Sequence, residues 1–167
     1  LTGISTNTLR IFGSLTLAPS MNYSFGGDVI FAATSAGKTI TLEGKFLGRT
    51  FFNGIGGGWT FLDAFSCVNI NLNNGSLDFN SQPVNAELIT AASSTRSIIM
   101  GSSVFTGTWL IDNSTNLTLN AGASTIIVPN NAFIHTGAGF TYNDISFTNT
   151  VFGAISSSGG NTYHNVS

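Results

Sequence analysis

The sequence predicts an all-β fold, a right-handed parallel β-helix of about six irregular coils, on three observations. Apolar residues recur with period two over strand-length runs, as in Trp59 and Phe61, then Val68, Ile70 and Leu72, then Leu77 and Phe79; such alternation marks strands with one buried face. The runs come in pairs that meet at a glycine. No segment sustains a helical period: the nearest, VNAELITAASSTRS at 84–97, dissolves into Ser and Thr and reads as a loop with a strand fragment.

In chain order the pairs are LRIFGSLTL around Gly13, TITLEGKFLG around Gly44, INLNNGSLDF around Gly75, SIIMGSSVF around Gly101, LTLNAGASTIIV around Gly122 and a weaker SFTNTVFGAI around Gly153. The glycines are unevenly spaced, closest between Gly101 and Gly122, so each pair reads as one coil of a solenoid whose loops vary in length. On the leading strands Leu9 and Ile11, Ile40 and Leu42, Ile70 and Leu72, Ile98 and Met100, and Leu117 and Leu119 then occupy matching places and form the dry interior. Glycine suits each pivot because it bends sharply or takes positive φ without a Cβ penalty. Asn69, Asn71, Asn73 and Asn74 suit the turns and can hydrogen-bond from coil to coil. A β-sandwich or jelly roll, also built of short alternating strands, is the competing architecture. Recurrence of one composite pattern favours the solenoid.

Composition sets the class. The 167 residues form a single module, 1–167, with enough apolar content (42%, including 14 Phe) to bury a core rather than remain disordered. Charged residues are only 7%, against roughly 25% in typical domains, so solubility falls to Asn, Ser, Thr and Gly. No apolar run approaches the ~20 residues of a membrane helix, and no membrane insertion is expected. Arg10, Lys38, Lys45, Arg49 and Arg96 are scattered and the net charge is -2, which gives no stripe for a nucleic-acid backbone. The lone Cys67 excludes an internal disulfide and reads as a small strand residue. A chain beginning at Leu1 without a leader reads as a processed product or a piece of a longer or assembled protein.

The stretches GGGWTFLDAF, LNNGSLDFN, STRSIIMGSSVFTGTW, STNLTLNAGASTIIV, FTYNDISFTN and NTYHNVS resemble the degenerate β-helix repeats of very large bacterial surface proteins and of phage fibre or structural proteins. The resemblance spans roughly two thirds of the chain, from about Gly56 onward, and carries no catalytic motif. It implies a secreted or virion-borne structural module.

Chemistry-bearing residues are few. Gly54, Gly56, Gly57 and Gly58 lack the following Lys-Ser/Thr of a phosphate loop and lead into alternation rather than a helix, so they read as a turn and no cofactor is expected. His135 and His164 are not spaced as zinc ligands, and no DxDxDG run suggests calcium, so no metal is expected. Sugar cleavage needs two nearby carboxylates. Glu87 follows Gly75, and Asp112 follows Gly101, at nearly the same remove, and they are the one pair that could stack. Thr39 with Thr41 could begin an ice-binding ladder, but the matching places hold Asn69 with Asn71 or Ser97 with Ile99.

The expected function is therefore non-catalytic: a shaft or scaffold of an extracellular fibre, cell surface or virion, partnered by further repeats of the same polypeptide or by self-association. The alternative is a glycan-binding adhesin, with Trp59, Trp109, Tyr142 and Tyr163 as the aromatic contacts. A polysaccharide-cleaving β-helix stands third.

Overall fold

In a computed structural model, which describes residues 1–129, 132–148 and 155–167, the chain is a parallel β-solenoid of about seven turns with no helix among the described residues. Two long ladders of parallel strands build most of it, beside a small two-stranded one of Thr2–Gly3 and Ser24–Phe25. A short sheet stacks six strands in chain order: Leu15–Thr16, Lys38–Thr41, Gly58–Phe61, Gly75–Asp78, Arg96–Ile99 and Leu117–Asn120. A long sheet of twelve strands begins with Thr8–Ile11, Asp28–Phe31, Phe46–Phe52, Phe65–Leu72 and Val84–Ile89. It ends with Thr162–Val166. The described pairings are all parallel, which excludes the sandwich, whose strands pair antiparallel. The segment at 84–97 is a strand, a loop and the start of the next strand, as its composition suggests.

Register corrects the coil. In the long sheet Leu9 lies against Val29, Val29 against Thr50, Thr50 against Ile70, Ile70 against Leu88, Leu88 against Trp109, Trp109 against Ile134, and Ile134 against Ile155. Leu9 therefore stacks on Val29 and not on Ile40, the residue that the glycine series matched to it. The interval from Gly13 to Gly44 is one and a half coils, and the chain makes about seven turns rather than six. Gly13 and Gly75 mark the passage from long to short sheet, whereas Gly44, Gly101 and Gly122 mark the return. Both corners reverse the chain sharply, with φ of 72° at Gly44, 81° at Gly75, 63° at Gly101 and 57° at Gly122. They therefore demand the same residue and are indistinguishable by composition. Gly153 lies outside the described residues.

The expected single interior ladder is thus two. Leu9, Ile11, Ile70 and Leu72 belong to the long sheet, and Ile40, Leu42, Ile98, Met100, Leu117 and Leu119 lie on or beside the short sheet. Both face inward. Ile40, Leu42, Ile70, Leu72, Ile98 and Met100 are fully buried, while Leu9, Ile11 and Leu119 are half-buried. Between the ladders runs an aromatic column in which Phe61 stacks on Phe65 and Phe79 with centroids 4.2 and 5.4 Å apart. It continues from Phe105, set edge-on to Trp109 at 5.0 Å, to Tyr142 at 6.3 Å and Tyr163 at a further 5.7 Å. Edge-on and offset contacts of this kind add about 0.5–1.5 kcal/mol each beyond the area they bury.

The last coils are narrower. The segment 111–124 carries the chain from Leu110 back to Thr125 and includes a short-sheet strand, but only 136–140 separates His135 from Thr141. Five residues span the shortcut but leave no length for another strand, so the short sheet ends at Leu117–Asn120. A largely part-buried polar knot holds this shortcut: Tyr142 donates to the Thr136 carbonyl at 2.8 Å, the Thr136 and Tyr163 hydroxyls meet at 2.9 Å, and Asn161 donates to Thr136 Oγ1 and the Gly137 carbonyl at 2.9 Å each.

Candidate functional site

The four aromatic residues expected at a glycan surface lie elsewhere. Trp59, Trp109 and Tyr142 are at most 1% exposed, and Tyr163 is half-buried on the same column. Their positions in the period-two pattern are inward ones, and only the register makes this visible. Trp59 pairs with Leu77, and Trp109 with Leu88 and Ile134.

Glu87 and Asp112 do not stack. Leu88 lies against Trp109, which places Thr108 against Glu87 and Asp112 four residues further on. Asp112 therefore lies past the end of the Trp109–Leu110 strand, at a bend and out of register with Glu87, and the two are not ladder partners. The pivots mislead because Gly75 and Gly101 stand at opposite corners.

Other carboxylates tie one coil to the next. Asp28 accepts two hydrogen bonds from Arg49 at 2.8 and 3.1 Å. Asp63 accepts the backbone N–H groups of Leu42 at 2.9 Å and Glu43 at 2.6 Å, closing the corner where Glu43 itself has φ of 51°. Asp144 meets His164 Nδ1 at 3.0 Å and Asn165 Nδ2 at 2.9 Å. The hydrogen bond from His164, then that from Asn165, holds the Asp144 carboxyl below its ordinary value.

Arg96, one of the five scattered basic residues, is buried at 1% exposure. It pairs with Gly75 below and Leu117 above, so it fills an inward place over a glycine. Its Nε donates to the Ser94 carbonyl at 3.0 Å, and Nη2 to Asn113 O at 3.0 Å and Thr115 O at 2.8 Å, with no carboxylate in the set. Burial pushes its pKa down. The signal is present in the sequence: Gly101 to Gly122 is the one pivot step equal to a coil, and it aligns Arg96 with Leu117.

The glycine-rich turn serves packing. A Cβ at Gly54 would fall 1.7 Å from the Ala33 carbonyl oxygen and one at Gly57 2.3 Å from the same atom, so the coils meet backbone to backbone here. The Gly58–Phe61 strand follows directly. Cys67 is buried and its thiol is pushed up to about 12 by desolvation, which leaves no reactive thiolate near neutral pH. The His135 ring meets the Ser156 and Ser158 hydroxyls at 3.2 and 3.1 Å. Among the described residues no group of three or more His, Cys, Asp or Glu side chains is placed to hold a metal ion.

Thr39 stacks on Thr60 and Thr16 on Thr41, not on the residues that the glycine spacing matched, but the column beyond Thr60 continues as Asp78, Ile99 and Asn120. The hydroxyl ladder is therefore short.

Among the described residues, a concave feature lies at the step where the short sheet ends. A cavity of about 450 Å³ is floored by Leu119, Asn120, Ala121 and Gly122 and walled by Thr141, Tyr142, Asn143 and His164. Comparison with known proteins finds no matching family model, no matching curated protein and no matching solved structure.

Proposed function

We propose that the chain is a non-catalytic structural module, a shaft or scaffold of an extracellular fibre, cell surface or virion. The observation that carries the reading is where its chemically capable side chains go. Arg49 with Asp28, Asp63 with the Leu42–Glu43 turn, Asn73 with Asn53 at 2.8 Å, and Asp144 with Asn165 are contacts from one coil to the next. Phe61, Phe79, Phe105, Trp59, Trp109 and Tyr142 fill the axis. Side chains used this way fix register and stiffness along a rod and leave none of those groups for turnover. The partners suited to such a module are further coils of the same kind, in one polypeptide or in neighbouring copies.

Immunogold labelling with antibodies raised against the purified chain tests the proposal on cells and on virions from the source. Label along surface fibres or on particles is the expected result. Label confined to the cytoplasm, or release of reducing sugar from a polysaccharide panel that is lost in Glu87→Gln, would overturn it.

A further inference from the structure

We infer that the cavity at the end of the short sheet binds a neutral sugar. The inference goes beyond the shaft reading and does not depend on it. The site follows from the narrowing of the coil: the shortcut at 136–140 removes one strand from the short sheet and exposes the top of Leu117–Asn120 beside a wall from the long sheet. At about 450 Å³ the cavity lies within the roughly 300–1,000 Å³ of small-ligand sites.

Its polar groups have definite unused valences among the described residues. Asn120 Oδ1 accepts the Gly122 N–H at 3.2 Å, so its amide N–H groups are free to donate. Asn143 Nδ2 donates to the Ser124 carbonyl at 3.0 Å, so its Oδ1 is free to accept. His164 uses Nδ1 against Asp144, which leaves Nε2 as the second acceptor when the ring is neutral. A donor and two acceptors, with no Lys, Arg, Asp or Glu in the lining, match the paired donor and acceptor roles of hydroxyl groups and provide no fixed positive charge for a phosphate or sulfate. The half-buried Leu119 and the buried Ala121 give the apolar floor that the C–H face of a sugar ring requires. The occupant that fits is a small neutral saccharide, either free or as a unit of a glycan chain.

Saturation-transfer NMR on the intact chain, with methyl glycosides of glucose, galactose, mannose and N-acetylglucosamine and with methyl glucuronide, tests this directly. At least one neutral glycoside should show transfer, with amide shift changes centred on Asn120, Asn143 and His164. Asn120→Ala and Asn143→Ala should each weaken binding about tenfold, the equivalent of ~1.4 kcal/mol, and lower the melting temperature by only a few degrees, since each also loses one intramolecular hydrogen bond, while Asn69→Ala on the outer long-sheet face should bind normally. Oligosaccharides blocked at either end distinguish a terminal sugar from one inside a chain. Absence of transfer from every neutral glycoside, preference for glucuronide, or shift changes elsewhere would overturn the site. None of these outcomes alters the immunogold result.

Discussion

The coils between Lys38 and Leu110 and those after Thr125 use the same strand wording to opposite effect. In the first region two sheets face each other and the axis is dry: Ile40, Phe61, Leu77 and Ile98 on the short sheet oppose Phe52, Ile70 and Leu88 on the long sheet, all with no exposed surface. In the second the short sheet is missing, and the space it would fill is closed by a hydrogen-bonded knot of Tyr142, Thr136, Tyr163 and Asn161. The wide coils are closed by a second apolar sheet, with Arg96 a buried charge among them, and the narrow ones add a polar closure to apolar residues such as Ile126, Ile134 and Ile145. A solenoid can therefore change cross-section without changing strand type, provided that the shortened return supplies its own partners.

The largest effect expected from this contrast is on a buried short-sheet position. Ile98→Asp places an unpaired charge in the dry axis and should cost more than about 4 kcal/mol, whereas Leu119→Asp, on the open step, should cost about 1–2 kcal/mol. Urea unfolding measures both, and equal costs would mean that the step is closed in solution. Next comes the knot. Tyr142→Phe removes the donor to the buried Thr136 carbonyl and should cost about 1–3 kcal/mol. It should raise amide exchange at 134–142 more than at 58–77, and uniform exchange would remove the distinction between the regions.

Surface ties should matter less. Arg49→Ala breaks an exposed pair with Asp28 and should cost under about 1 kcal/mol, diminishing further in high salt. The smallest effect concerns Asp144. Its folded pKa lies below the 3.8 of the free group, so its contribution is present above that value and is lost as pH falls through the lower, folded one. Acid titration of the melting temperature should show a shallower fall below pH 3.8 in Asp144→Asn than in the parent chain. An identical fall would mean that the contact with His164 does not form in solution.

Much of the architecture is legible in particular residues. Ile40, Ile70 and Ile98 announce inward positions because their neighbours alternate with Thr, Asn and Ser. Gly44, Gly75, Gly101 and Gly122 announce corners because their positive φ excludes most side chains. The aromatic set reads wrongly as sugar-facing for the same reason that the strands read well: period two tells which residues share a face, but Trp59 and Trp109 are counted as inward or outward only once their ladder partners are known. Asn120, Asn143 and His164 carry no local signal at all, being far apart in the chain and joined only by stacking.

By itself the sequence determined the strands, their buried faces and the corners, since all three follow from interactions within a few residues of chain. Only the tertiary structure decided that Leu9 stacks on Val29 rather than on Ile40, that Arg96 lies inside, and that the short sheet stops at Asn120. Those outcomes depend on which backbone groups meet across a ladder whose partners lie a whole coil apart in the chain, as Ile70 and Leu88 or Trp109 and Ile134 do. Two corners with the same glycine requirement cannot be told apart until that ladder forms, and the short return at 136–140 satisfies the same local rules as the longer one at 111–124 while enclosing a different axis.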